Sequence, residues 1–451
     1  TCTYDIVYEY DSTSNIYGGS QTKSVAKNGD KEITLQVSGV TGTNNFASEK
    51  NFDYDSNWSG LKRTLVSGAT ISSNGSLTTQ NISITGKYYN LTIPQPSIEG
   101  KAFTGKIYVT NHSCSTSEIP PAYITLLKAY GGKDNITELP DSAFANVTTA
   151  NDKGMYKKAD DLGTSYYYRG AVDNNWVKFG KEGDKDIYWR IIRINGDGSI
   201  RMIYSGTTAP TESTKVVMTG TGTQINATTY AFNSSRNNPS YVGYMFTEGQ
   251  QHGNGTPSTI KQTIDNWYKT TTLETDATTK ELVSQDQIFC NDRSATTSSS
   301  GTPGEISGSM STSTTYYYGA YVRLVTNKSP QLKCPTASDK FTSRKSSIGN
   351  KALTYPVGLI TADEVAMAGG VYGSSNTNSS YYLYTNQYYW SGSPSYFNGD
   401  YSYAYEFYVY SSGGLGNYTV HTDSGARPVV SLSSKAKLSG NGTYSKPYTV
   451  S

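Results

Sequence analysis

The residue types that most often do chemistry are sparse and scattered here. The histidines are His112, His252 and His421. None sits in H-E-x-x-H or beside another, so the zinc-hydrolase pattern is missing. G-x-S-x-G and G-x-x-x-x-G-K-[ST] are missing too, which leaves the hydrolase elbow and the P-loop unsupported. The cysteines are Cys2, Cys114, Cys290 and Cys334. None forms C-x-x-C, so zinc-ribbon and thioredoxin readings fail. Asn195-Gly-Asp-Gly198 supplies oxygens but lacks the alternating ligands and closing Glu of an EF-hand, and reads as a hairpin turn. Asp173-Asn-Asn175 reads as an ordinary turn. Glu364 is the acid nearest to a special setting, and the capping box Thr361-Ala-Asp-Glu364 already explains it. The expectation is a protein with no catalysis, no metal and no cofactor. A carbohydrate-active enzyme stays as an alternative, because the paired acids of glycoside hydrolysis are neighbours in space and not in sequence.

The chain does concentrate one residue type. It holds 40 Tyr against 11 Phe. The densest stretch is 381–418. Over Tyr401 to Tyr410, strand alternation puts Tyr401, Tyr403, Tyr405, Phe407 and Val409 on one face. Ser402, Ala404, Glu406, Tyr408 and Tyr410 fall on the other. One face must meet a core, so the other displays tyrosine. Tyr with Ser, Gly and Asn is the composition of adaptable binding surfaces, since Tyr offers large contact area at little entropy. The expected ligand-binding residues are Tyr389, Trp390, Tyr396, Asn398, Asp400, Tyr401, Tyr403, Tyr408, Tyr410 and Asn417. The competing reading is a Tyr-rich sheet that tolerates hydroxyls at its rim.

Composition sets the class. The 451 residues carry a net charge of +2, so nothing steers the chain to nucleic acid or an anionic membrane. Charged residues are 16% of the chain, against about 25% in an ordinary soluble domain. With abundant Ser, Thr, Asn and Tyr, this suggests an extracellular, mainly β protein. No apolar run nears the ~20 residues of a membrane helix. Any leader or anchor is expected outside this chain. An even cysteine count in such a composition favours two disulfides. Of three pairings, Cys2–Cys114 and Cys290–Cys334 are preferred, because each falls inside one proposed domain. The second closes a loop of roughly 45 residues and contributes roughly 3–4 kcal/mol. Four buried free thiols are the alternative.

The elements that must position these residues are short. Alternating runs at Thr3–Tyr10, Lys31–Val37, Gln80–Thr85 and Lys106–Thr110 suggest a β-sandwich over 1–117. Turn residues such as Ser73–Ser76 separate them, and Leu91–Pro96 reads as an edge or loop. Ser117–Pro121 marks a boundary. A linker with a short helix, Ala122–Ala129, fills 118–165. The last domain, 166–451, holds the clearest hairpin, Tyr188–Tyr204 around Asn195-Gly-Asp-Gly198. Thr256 caps a helix to Tyr268 with Pro257 in its first position. Residues 294–315 read as a Ser/Thr/Gly-rich surface insertion. A capped helix runs from the Thr361–Glu364 box to Met367. Ala426–Leu432 is a closing strand.

Seven segments carry a resemblance. They are Tyr166–Val172 (YYYRGAV), Tyr188–Arg201 (YWRIIRINGDGSIR), Phe289–Arg293 (FCNDR), Tyr318–Asn327 (YGAYVRLVTN), Gly358–Glu364 (GLITADE), Tyr389–Pro394 (YWSGSP) and Gly425–Leu432 (GARPVVSL). Over about 120–450 the chain resembles uncharacterised modules of secreted surface proteins from Gram-positive gut bacteria. Its ending is similar to C-type-lectin-like folds, including bacterial major-paralogous domains and formylglycine-generating enzymes. The resemblance implies an α+β C-type-lectin-like domain that shows ligands on a loop-rich face. It does not imply formylglycine chemistry, because 335–451 contains no Cys. The sugar motif Glu-Pro-Asn is also missing. The function expected is a secreted or cell-surface adhesin that binds a host or bacterial protein or glycan. The alternative is a structural subunit of a pilus, filament or surface layer that binds copies of itself.

Overall fold

The structure is a computed structural model and describes residues 2–10, 33–52, 58–59, 61–72, 79–90, 92, 105–114 and 121–451. It is mainly β with a few short helices. The chain divides into two compact units, Thr1–Ile119 and Pro120–Ser451.

The first unit is sandwich-like. Strand β1 (Cys2–Tyr10) alternates, so Tyr4, Ile6, Tyr8 and Tyr10 share the core side. The opposing sheet contains β2 (Ile33–Ser38). Strand β3 (Lys62–Ile71) pairs antiparallel with β1. Strand β4 (Ser83–Tyr88) pairs with β2. On the other side of β1 lies β5 (Gly105–Cys114). Leu35, Val37, Phe46, Phe52, Leu65 and Val66 fill the space between. Cys2 is disulfide-bonded, and its register partner across the sheet is Cys114. Strand β3 was not anticipated. Gly68 sits in it at a left-handed φ of +61° and breaks the apolar alternation that marks strands. The strand expected from Gln80 starts at Ser83. The Ser73–Ser76 turn, the Leu91–Pro96 segment apart from Thr92, and the boundary at 117–120 lie outside the described residues.

The second unit opens with α1 (Ala122–Lys128). The proposed linker is corrected next. Strand β6 (Lys153–Asp160) pairs along its whole length with β7 (Gly163–Gly170). Met155 and Asp160 are buried there, so 121–165 is part of this unit. Strand β8 (Trp176–Glu182) follows, then the hairpin of β9 (Lys185–Ile194) and β10 (Ile200–Tyr204) around Asn195-Gly-Asp-Gly198. Every residue of β10 is buried, as in a strand covered on both faces.

Helix α2 (Thr259–Tyr268) begins two residues later than expected. Ser258 caps it, its Oγ accepting from Lys261 N, because Thr256–Pro257 instead pairs as a short strand with Met245–Phe246. The stretch 294–315 is more than a surface loop. Ala295 and Met310 are buried, and Gln251 donates to Gly304 O at 2.9 Å and accepts from Ile306 N at 2.7 Å. Cys290 and Cys334 form a disulfide across 44 positions.

Strand β11 (Tyr316–Tyr318) runs into the helical segment α3 (319–327), whose second part, Val322–Asn327, is π-helical. Helix α4 (Ala362–Ala368) has all seven residues buried and a complete capping box between Thr361 and Glu364. A second sheet is built on β12 (Tyr389–Asn398), β13 (Tyr403–Val409) and β14 (Leu415–Thr419). Strand β15 (Val429–Leu432) returns to the first sheet beside β10.

Glu364 ties the first sheet to α4. Its Oε1 lies 2.8 Å from Arg193 Nε and 2.6 Å from Arg201 Nε. Its Oε2 accepts from Thr361 N at 2.9 Å. Burial pushes this carboxyl up, but Arg201 and Arg193 outweigh it and hold the pKa below the ordinary 4.5. A depressed carboxylate stabilises the fold above its unfolded pKa, and that stability is lost as pH falls through the folded pKa. Glu364→Gln should therefore destabilise by about 3–5 kcal/mol at neutral pH, because buried Arg201 loses its counter-charge and buried Arg193 keeps only Asp160. The variant should also show a shallower loss of stability below pH 4.5. Urea unfolding of both proteins across that range checks the pair of outcomes.

Candidate functional site

The second sheet gathers tyrosines onto one face. Strand β12 carries register shifts between Trp390 and Pro394 and between Pro394 and Tyr396. These interrupt simple alternation and turn Tyr396 outward. Its C-terminal half pairs with β11 and its full length runs along β13. A row of directly opposed residues results: Thr296, Tyr317, Tyr396, Tyr405 and Thr419.

The rings stand in a stack. Tyr396 and Tyr405 have centroids 4.2 Å apart and planes 11° apart. Tyr317 lies 6.2 Å from Tyr396 at 17°. Tyr321, one helical turn beyond Tyr317, is tilted against it at 50° and meets Tyr396 edge-on at 61°. Tyr372 extends the group, 6.4 Å from Tyr321. All five are half-buried. Asn417 on β14 donates through Nδ2 to Tyr372 OH at 3.0 Å and to Ser395 Oγ at 3.1 Å. Burial raises the phenol pKa of Tyr396, and the Tyr405 hydroxyl adds to it. Burial also raises Tyr321 and Tyr372, the latter against the Asn417 hydrogen bond. These hydroxyls stay protonated, so the face offers neutral donors, acceptors and aromatic edges.

The ten expected residues fall in four places. Tyr396 and Asn417 belong to this face. Asn398, Asp400, Tyr401 and Tyr403 form the tip of the β12–β13 hairpin. There Asn398 Oδ1 accepts from Asp400 N at 3.0 Å and Tyr401 N at 3.2 Å. Tyr401 lies in the turn before β13, not in the strand, and is 69% exposed. Arg236 caps the Tyr403 ring and donates to its hydroxyl at 2.7 Å. Tyr408 and Tyr410 lie on another patch with Tyr388 and Tyr418. Three expectations are corrected: Tyr389, Trp390 and Tyr408 are buried. Tyr389 OH donates to Leu383 O and Trp390 Nε1 donates to Tyr230 O, so both serve the core. Tyr408 is covered by Tyr388, stacked at 5.6 Å.

Tyr317, Tyr321, Tyr372 and Tyr405 were not among the expected site residues. The Tyr316–Tyr318 run was the available signal, but its pairing with β12 joins segments far apart in sequence.

The remaining reactive groups are committed elsewhere. His252 Nδ1 contacts Asp339 at 2.9 Å, while Asp339 also accepts from Arg293. His421 packs on Arg236. Arg193, Arg201 and Arg323 with Asp160, Asp292, Asp363 and Glu364 line a cavity of about 40 Å³. Arg323 is held by both Asp363 and Asp292. Among the described residues, no group of three His, Cys, Asp or Glu is placed to hold a metal ion. No protein-family model, curated protein or solved structure matches the chain.

Glu406 sits on β13 opposite the tyrosine face, fully buried, with Oε1 lacking a hydrogen-bond partner. Burial raises its pKa well above 4.5, against the Gly243 N–H and Arg293. A raised acid gives stability that is complete below the unfolded pKa and lost as pH rises through the folded pKa. Glu406→Gln should remove that loss and leave the protein equal or more stable at pH 8. Thermal melts of both proteins between pH 4 and pH 8 check this; a variant that loses stability in parallel with the parent contradicts it.

Proposed function

We propose that this chain is a secreted or cell-surface binding protein without catalysis, of the adhesin kind. It engages a host or bacterial glycan or protein through the face formed by Tyr317, Tyr321, Tyr372, Tyr396, Tyr405 and Asn417. The observation that carries this reading is the convergence of five half-buried tyrosines from four separate segments, with Asn417 hydrogen-bonded among them. Half-buried tyrosines packed ring on ring have restricted rotamers, so they lose little entropy on contact. The Cys290–Cys334 disulfide supports an oxidising compartment. No helix among the described residues is long and apolar enough to cross a membrane. The resemblance to C-type-lectin-like surface modules agrees with this reading.

A second reading is a filament or surface-layer subunit. It draws on β5, where Ile107 and Val109 are 46% and 53% exposed. An exposed strand with apolar side chains is a template for pairing between copies. Regular polymers in electron micrographs of the purified chain would favour it.

The test of the first reading is an array of surface glycans and proteins probed with the parent, Tyr396→Ala and Tyr405→Ala, each confirmed folded by near-UV circular dichroism. Each substitution should weaken binding by about 2 kcal/mol, roughly 30-fold. Unchanged binding in both variants removes the tyrosine face from the function.

A further inference from the structure

The tyrosine face ends at a lysine in an unusual conformation. Lys328 closes helical segment α3 with φ +55° and ψ +34°. This left-handed position after a helix is the usual place for glycine, and a β-carbon there is strained. Such strain persists where the surrounding structure imposes it, and it collects at ligand sites. The π-helical turn just before it is a second feature common at functional sites.

Among the described residues the ammonium of Lys328 has no counter-charge. Its Nζ lies 5.9 Å from the centre of the Tyr372 ring. No carboxylate among the described residues is within ion-pair range of it, in contrast to Arg323 one turn earlier, which has two. Burial lowers its pKa, and no neighbouring acid offsets this. Beside it is an apolar cleft of about 10 Å³ lined by Phe144, Leu324, Val371 and Leu415. That is room for one water-sized group, such as a methyl. The rest of the face is neutral hydroxyl, carboxamide and aromatic surface.

We propose that Lys328, Tyr372 and this cleft form an anion subsite of the tyrosine face, and that its ligand is a glycan ending in a carboxylated, N-acetylated sugar. The carboxylate pairs with Lys328, the sugar ring packs on Tyr372 and Tyr321, and the acetyl methyl enters the cleft. The proposal rests on the reading of that face as a binding surface. A polyhydroxylated ligand fits the row of phenols and Asn417 better than an acidic peptide, which would match only the single charge.

The experiment is calorimetric titration of the full chain, and of Lys328→Gln and Lys328→Gly, with sialyllactose, lactose, a glucuronic-acid-terminated oligosaccharide and a hexaglutamate peptide. The parent should prefer sialyllactose to lactose by about five-fold or more at low ionic strength, the scale of a partly screened charge pair. The glucuronyl sugar should fall between them. Both variants should lose the carboxylate's share of that preference and keep only the smaller share that the acetyl group supplies, and Lys328→Gly should melt no lower than the parent. Equal binding of sialyllactose and lactose by the parent overturns the proposal. So does a preference that survives undiminished in Lys328→Gln, or a peptide that binds as tightly as sialyllactose. Failure to bind any carboxylated sugar overturns it too. The tyrosine face keeps its role in that case if Tyr396→Ala still weakens binding of another ligand, and loses it if not.

Discussion

Two arginines face each other across the β9–β10 hairpin, and the second unit is organised around that conflict. Arg193 and Arg201 are register partners on adjacent strands, both buried. Like charges directly opposite destabilise a strand pair, and burial magnifies the effect. One carboxylate oxygen of Glu364 contacts both guanidiniums. Glu364 is also the last member of the box that starts α4, so the hairpin is neutralised only when the helix is docked with its N-terminus in place. Asp160 on β6 accepts from Arg193 as well, at 2.8 Å. One charge cluster thereby joins three strands of the first sheet to a helix that packs against the second sheet.

Buried arginines recur in four of the segments quoted for the resemblance. YYYRG supplies Arg169, which donates to Ala366 O and Met367 O at the C-terminal end of α4, where cations are favoured. YWRIIR supplies Arg190, whose guanidinium is met by Asn175 and by the carbonyls of Val172 and Val216. CNDR supplies Arg293, held by Asp339 and the carbonyls of Met245 and Gly253. GARP supplies Arg427, which donates to Tyr204 O and Leu383 O. A buried guanidinium with five donors must find several acceptors at fixed positions. Those motifs therefore record how loops are pinned to sheets, and carry little information about a ligand.

This explains what was legible. The hairpin, the capping box and the Cys290–Cys334 bridge each depend on residue types close in sequence or on rare residues, and they were readable. Strand β3 was not, because its glycine disrupts the pattern that would announce it. The tyrosine face was half readable. Tyr396 and Asn417 were found because they lie in the densest Tyr stretch. Tyr317, Tyr321 and Tyr372 reach the face from segments tens of residues away, through pairing that no local pattern encodes. Alternation put Tyr408 on the face opposite Tyr405, but it could not show that Tyr388 and Tyr418 cover it and leave it buried.

Tyrosine rather than phenylalanine is the physical link between this core and this surface. In the interior, hydroxyls such as those of Tyr389 and Tyr381 close hydrogen bonds to carbonyls at Leu383 and Gly413, fastening loops that have little regular structure. On the half-buried face the same side chain packs its ring against its neighbours, and the hydroxyl of Tyr372 accepts from Asn417. Stacked pairs of this kind are worth about 0.5–1.5 kcal/mol beyond their buried area, so each ring is held in place by the next before any ligand arrives. A surface ordered in that way has already met the entropic cost that a loop-borne site would meet on binding. Its rigidity is inherited from the second sheet, whose strands β12 and β14 are held against α4, and so from the charge cluster around Glu364.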